Sequence, residues 1–274
     1  MKILSFVTAT VIVSFSALTA AAAADCKPAH QFPTVTSGTL TVAAYELPPF
    51  SSVKNGEFNG IDPDIVREIV GMECLKVEVI SLDPAAAIQA VLSGKADLTV
   101  GNWYRTAARA KVLSLSAPLY LDQMGVISKE GATKVSQLSG KKVGNIQGYL
   151  WYNDIAKLFG DSAITYPNSV NMAQDLAAGR IDAGFESYVV GKEAQKNGAY
   201  GGMKVEIIEP DDSVAASKEP AQSNFPHTKD NPKLTDALKD DINALHANGK
   251  IGEILKKYGL DPSGANTGEP RVIQ

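Results

Sequence analysis

Leu92-Ser93-Gly94-Lys95-Ala96-Asp97 returns 85 residues further on as Ala177-Ala178-Gly179-Arg180-Ile181-Asp182. Each copy closes an apolar pattern of helical period. Each then sets a glycine, a basic residue and an aspartate ahead of the next apolar run. Glycine takes the left-handed conformation in which helices commonly end. Two such helix-to-strand junctions in one chain predict two similar α/β lobes.

The flanking sequence extends this reading. Residues 39–44 read as a strand, followed by a loop with Pro48, Pro49 and Gly56. Asp62-Pro63 is expected to open a helix, with Asp62 as its N-cap and proline in the first helical position. Ile65, Val66, Ile69 and Val70 share one face of it. Val77, Val79 and Leu82 mark a second strand. Asp83-Pro84 and Asn231-Pro232 repeat the cap-plus-proline signal ahead of two further helical patterns. The expected division is a leader at 1–24, the first part of lobe one at 25–124, lobe two at 125–222, and a return to lobe one at 223–274. That last part holds two helices and an irregular tail. Two crossings, near 120–128 and 221–228, permit hinge closure on a ligand.

The 274 residues are 45% hydrophobic, enough for two modest cores. The net charge of −4, without any Lys/Arg-rich run, argues against nucleic-acid binding. Lys2 is the single charge in the first 24 residues, and the apolar run at 3–18 ends in alanines. Ala22-Ala23-Ala24 fits a signal-peptide cleavage site, so the mature chain is expected in the periplasm, starting near Asp25. The apolar run is short for a membrane span of about 20 residues. Cys26 follows Asp25, which does not suit a lipid-attachment site. Cys26 and Cys74 are the two cysteines, and export permits a disulfide pinning the N-terminal tail to the end of the first helix. Two free thiols are the alternative.

Six segments carry a resemblance to a known family. They are Leu47-Pro48-Pro49-Phe50, Gly60-Ile61-Asp62-Pro63-Asp64-Ile65, Leu92-Ser93-Gly94-Lys95-Ala96-Asp97, Arg105-Thr106-Ala107-Ala108-Arg109-Ala110-Lys111, Leu115-Ser116-Ala117-Pro118-Leu119-Tyr120 and Leu138-Ser139-Gly140-Lys141-Lys142-Val143-Gly144. In this order and spacing, from about Gly38 to Gly259, the chain resembles the family 3 extracellular solute-binding proteins, the polar amino-acid binders of ABC importers. The resemblance implies an α/β, two-lobed periplasmic-binding-protein-like fold (type II) with two hinge crossings and a ligand cleft between the lobes. It implies a monomer with a small-molecule ligand, an amino acid or derivative, and an ABC transporter permease as partners. It implies no enzyme activity, no cofactor and no metal.

Within that resemblance Arg109 aligns with the arginine that holds the ligand carboxylate. Its planar fork of donors can grip a carboxylate through two parallel hydrogen bonds. The plain alternative, a solvated helix arginine, is expected for Arg105. Asn102 and Tyr104 align near small or hydroxyl-bearing positions that donate to the ligand. Trp103 offers an apolar plane to the cleft or packs in the core. In lobe two, residues 144–149 join a strand to a helix, so amides near Gly148 and Tyr149 are expected to form an anion site. The spacing is not GxGxxG. Ser187 stands where amino-acid binders of the family usually place an aspartate on the ligand ammonium. Its neighbour Glu186 faces the other way unless the strand has ended. Glu46 is a second candidate for the ammonium. Tyr45, Phe50, Trp103, Tyr104, Tyr149, Trp151 and Tyr152 concentrate aromatic faces at the expected cleft. Such faces attract cations, which points to a modified amino acid, an opine-like compound or another amine-bearing acid.

His30, His227 and His246 show no metal-ligand spacing, and HExxH, Walker A and GxSxG patterns are absent from the sequence. The enzyme alternative is a periplasmic dehydratase of the same fold, similar to cyclohexadienyl dehydratases, with Glu186 or Glu46 as its acid or base. A membrane receptor's sensing lobe is disfavoured, since no second hydrophobic segment follows.

Overall fold

The computed structural model describes residues 26–273; the expected leader at 1–24 lies outside them. Two five-stranded sheets organise the chain. In the first, Thr39–Ala44 runs parallel to Lys76–Ser81 on one side and Leu98–Val100 on the other. Pro226–His227 and Ser114–Leu115 complete it in antiparallel sense. In the second, Val143–Ile146 runs parallel to Ala163–Tyr166 and Ala183–Ser187, followed by Met124–Ser128 and Lys204–Ile207. The central strands are buried on both faces, which accounts for their near-continuous apolar or small residues. Among the described residues, no helix is long and apolar enough to cross a membrane.

The repeated hexapeptide does the same work in both sheets. Gly94 and Gly179 have φ of 67° and 66°, ending their helices in the left-handed conformation. Asp97 then bonds the central strand of its sheet twice. Its amide donates to Thr41 O at 2.8 Å, and its Oδ2 accepts from Thr41 N at 2.7 Å. Asp182 holds Lys142, at the start of the equivalent strand, in the same way: amide to Lys142 O and Oδ2 from Lys142 N, both at 2.8 Å. The aspartate recurs because each lobe needs an acceptor for the amide that enters its central strand.

The chain passes between the sheets twice, and the two passages pair with each other. Leu121–Asp122 lies antiparallel to Ala221–Asn224, which on its other side pairs with Trp103–Tyr104. This three-stranded ribbon therefore joins both crossings to the segment that leads to Arg109.

Three sequence expectations need correction. Asp62 is not an N-cap. The helix Ile61–Met72 is capped at Gly60, and the Ile61 and Asp62 amides donate to Pro49 O and Phe50 O. The loop backbone thus satisfies the helix end, and the Asp62 carboxylate is free to act elsewhere. Gly60 must be glycine here: its φ is 132°, and a Cβ would stand 2.5 Å from Phe50 O. Asp83 does precede Pro84–Leu92, but its carboxylate accepts from Asn168 Nδ2 across the lobes at 2.9 Å instead of capping its own helix. Asn231 does cap Pro232–Ala247, through Leu234 N. Arg105 is not a solvated helix arginine. It precedes the helix Ala107–Val112 and donates to Arg271 O and Ser116 O. The tail it holds is pinned: Gln222 Nε2 donates to Thr267 O and Glu269 O, and Ala107 N donates to Ile273 O.

Cys26 and Cys74 form a disulfide with Cα atoms 5.7 Å apart. Beside it, His30 Nδ1 lies 2.6 Å from Glu73 Oε1 and 3.9 Å from Asp241 Oδ1. The N-terminal segment is thus fastened to the first helix of lobe one by a covalent and an ionic tie.

Candidate functional site

The site is assembled from the ribbon outward. Asp62 is buried in the first turn of its helix. Its Oδ2 accepts from the amides of Gly101 (2.7 Å) and Asn102 (2.9 Å), and its Oδ1 from the Tyr120 hydroxyl at 2.6 Å. Desolvation pushes this carboxyl up to about 6, against the pull of those three donors. The donors fix a bend in which Gly101 has φ 125° and Asn102 φ 55°. A non-glycine residue at positive φ is uncommon, and here the bend aims Asn102 at the cleft.

The cleft between the lobes is narrow and partly open to solvent. Tyr45, Leu47, Asn102, Trp103, Tyr104 and Arg109 line it from one side, and Tyr149, Leu150, Trp151 and Ser187 from the other. Half of its lining residues are aromatic. Tyr45 meets Trp103 edge-on at 5.2 Å, and Trp151 meets Tyr149 at 5.3 Å and Tyr104 at 6.1 Å. Trp103 serves both readings weighed for it. It is buried, with Nε1 bonded to Thr99 Oγ1, and its ring face receives Arg109 at 4.7 Å.

Arg109 sits at the junction. Thr106 caps its short helix by accepting from the Arg109 amide. Nη1 donates to Tyr104 O at 2.7 Å and Nη2 to Gly148 O at 3.0 Å, so one fork spans both lobes. The residue as a whole is half-buried, but its guanidinium is packed deeply enough that desolvation lowers its pKa to about 10. Among the described residues it pairs with no carboxylate, whereas Arg67, Arg180 and Arg271 each do.

The remaining expected residues divide. Gly148 contributes a carbonyl, not an amide. Of the turn's amides, Gln147 N donates to Tyr166 O and Tyr149 N to Ile146 O, and the helix starts only at Tyr152, so the turn is not the helix N-terminus expected there. Tyr149 lines the cleft, its hydroxyl 3.1 Å from Ser169 Oγ. Ser187 lines it too, and its hydroxyl caps the helix Tyr188–Lys196 through Val190 N. Glu186 is fully buried behind the cleft, bonded to Ser169 Oγ at 2.5 Å and to Ser187 N at 2.8 Å. Burial pushes its carboxyl up to about 7. Phe50 is not at the cleft. It is stacked on Tyr120 at 5.3 Å in the lobe-one core, because the loop that caps the neighbouring helix turns it inward. Glu46 is held away by Ser52 Oγ, Val53 N and Lys54 Nζ, in a separate hollow at the lobe rim. Tyr152 also stands apart, with its hydroxyl on Thr165.

Sequence reasoning gave Asp62 only a capping role and passed over Asp122. Asp122 is 3% exposed, and its Oδ2 accepts from Asn102 Nδ2 and, at 2.9 Å, from the Tyr104 hydroxyl. No local pattern marks either acid, since their partners lie 18 to 58 residues away.

Known proteins share this architecture. The lysine/arginine/ornithine-binding periplasmic protein of Escherichia coli (strain K12) is 28% identical over 238 residues, covering 82% of this chain and 87% of that protein. An ancestral arginine-binding protein bound to arginine superposes with a TM-score of 0.71 at 25% identity, covering 81% of this chain and 98% of its own. The ancestral amino-acid-binding protein AncCDT-1, a precursor of cyclohexadienyl dehydratase, has a TM-score of 0.67 at 22% identity, covering 81% and 95%. The two-lobed type II periplasmic-binding-protein fold expected from the sequence is therefore the fold of this chain. The profile of the bacterial extracellular solute-binding proteins, family 3, matches residues 40–261, most of the chain, and the chain belongs to that family.

Proposed function

We propose that this chain captures an amino acid or amino-acid-like small molecule between its lobes in the periplasm and, as a monomer, hands it to the permease of an ABC importer. The observation that carries the reading is Arg109. Its guanidinium is desolvated, it reaches both lobes, and it has no carboxylate partner among the described residues. A desolvated cation needs an anion, and a bidentate guanidinium fits a carboxylate best. The leader read from the sequence and the binding roles of the relatives support export and capture. On closure the cleft excludes water and strengthens charge-assisted bonds, so the ligand selects the closed form.

Calorimetry of the mature chain against the twenty common L-amino acids and their N-modified forms tests this. At least one should bind, and Arg109→Ala should weaken it by about 100-fold, the worth of one or two charge-assisted hydrogen bonds. Unchanged affinity in that variant rejects the assignment.

One observation favours a second reading, a dehydratase of the same fold. Glu186 is buried beside the Tyr149–Ser169 pair with its carboxyl raised to about 7, where a general acid works best at neutral pH. Turnover of prephenate or arogenate, lost in Glu186→Gln, would select it.

A further inference from the structure

We propose that His30, Glu73 and Asp241 bind one divalent first-row transition-metal ion of the zinc type, in lobe one and away from the ligand cleft.

The three residues come from separate elements, so no spacing motif announces them. His30 lies in the N-terminal segment, Glu73 closes the helix Ile61–Met72, and Asp241 stands on the helix Pro232–Ala247. One ligand atom from each lies within 4.8 Å of the other two. His30 Nδ1 is 2.6 Å from Glu73 Oε1 and 3.9 Å from Asp241 Oδ1. Zinc bonds of about 2.0–2.2 Å set tetrahedral neighbours about 3.4 Å apart, a value between those two separations. Modest side-chain rotation therefore closes the three atoms on an ion.

Charge and burial supply an independent observation. Glu73 and Asp241 are both buried, and among the described residues neither pairs with a lysine or arginine. Even a protonated His30 leaves one negative charge in excess. Asp241 Oδ2 is, in addition, a buried acceptor with no donor. Buried carboxylates demand a compensating charge, and a divalent cation supplies it to all three ligands at once. A proton shared by Glu73 and Asp241 is the competing way to neutralise the pair.

The ligands are held in advance. The Cys26–Cys74 disulfide, the bond from Ala29 N to Met72 O (3.1 Å) and that from Asn231 Nδ2 to Pro33 O (2.7 Å) fasten the segment on either side of His30. The His30 amide donates to Glu73 Oε2 at 2.9 Å, which turns Oε1 toward the imidazole. His30 Nε2 faces Asp240 Oδ2 at 3.4 Å. A carboxylate on the far ring nitrogen fixes the tautomer that leaves Nδ1 free for a metal. Such preorganisation lowers the cost of binding. The part-exposed imidazole leaves the ion a way in and room for a water as fourth ligand. One imidazole with carboxylate oxygens suits zinc and its neighbours better than magnesium or calcium, which prefer oxygen alone. The bound ion would be a further tie between the N-terminal segment and lobe one.

The test is calorimetric titration of zinc into the mature protein, without a histidine tag and stripped by chelator. Its disulfide is kept intact so that thiolates do not compete. Wild type should take up one ion per chain with a Kd of about 1 μM or tighter, and its thermal midpoint should rise with zinc. His30→Gln and Asp241→Asn should each weaken binding by at least about 100-fold, the upper end of what is lost when only a ligand's orienting partner is removed. His246→Gln should leave it unchanged. X-ray absorption at the zinc edge should show imidazole scattering that disappears in His30→Gln. Wild type that binds no single equivalent overturns the proposal and leaves the shared proton. Equal affinity in wild type, His30→Gln and Asp241→Asn overturns it as surface binding only. If Asp241→Asn does not melt cooperatively, His30→Gln, at a part-exposed position, decides alone.

Discussion

Replacing Asp62 by alanine should be among the most damaging single changes in lobe one. The wild-type carboxylate satisfies two backbone amides and the Tyr120 hydroxyl, and all three donors are buried. Alanine leaves them unmatched. Each orphaned buried donor costs about 1–3 kcal/mol, so three together should cost about 3–9 kcal/mol. That is a large share of the ~5–15 kcal/mol that holds a typical domain folded. Relief of the carboxylate's own desolvation offsets a part. Asp62→Asn behaves differently. Its amide oxygen can still accept from Gly101 and Asn102, and the Tyr120 hydroxyl can turn to accept from the new NH₂. Its cost should stay within about 1 kcal/mol. Urea unfolding followed by circular dichroism at pH 7 separates the cases. Alanine within ~1 kcal/mol of wild type would refute the clamp, and asparagine as costly as alanine would show that the charge, not the hydrogen bonding, matters.

Two further outcomes follow from the same contacts. Cys26→Ser with Cys74→Ser removes a cross-link spanning 48 residues, for which chain entropy gives about 4 kcal/mol; a thermal midpoint unchanged by the double change would contradict a stabilising role. Stability should fall as pH rises from 5 to 8. Asp62 (about 6) and Glu186 (about 7) keep their protons in the folded chain at pH values where unfolded carboxyls have lost them, so folding binds protons across that range. His30, raised chiefly by Glu73, acts in the same direction: its stabilisation is full below its unfolded value near 6.5 and is lost as pH rises through its folded one. A midpoint by scanning calorimetry that rises between pH 5 and 8 would contradict this.

The two α/β lobes were legible because the hexapeptide's job is local. A left-handed glycine ends a helix and an aspartate holds the strand next in line, and both leave a signature within six residues. Arg109 was singled out by the family resemblance alone, since nothing in its own neighbourhood distinguishes it from Arg105. The structure separates the pair by what each guanidinium reaches, the two lobes for Arg109 and the C-terminal tail for Arg105. Asp62 was misread for a physical reason. Asp-Pro at a helix start is a sound capping signal, but here Pro49 O and Phe50 O already serve the helix end. Phe50 follows from the same loop, turned into the core and away from the cleft. Asp122 left no trace, because a lone acid between Leu121 and Gln123 acquires meaning only when the crossing strand brings it to Asn102 and Tyr104.

The account's central claim is that the cleft holds a molecule with a carboxylate on Arg109. Mass spectrometry of small molecules retained by the mature protein, purified without denaturation and compared with Arg109→Ala prepared alike, addresses it most directly. The account predicts a retained compound bearing both a carboxylate and an amine, missing from the variant. A retained compound without a carboxylate, or one held equally by both proteins, would contradict it.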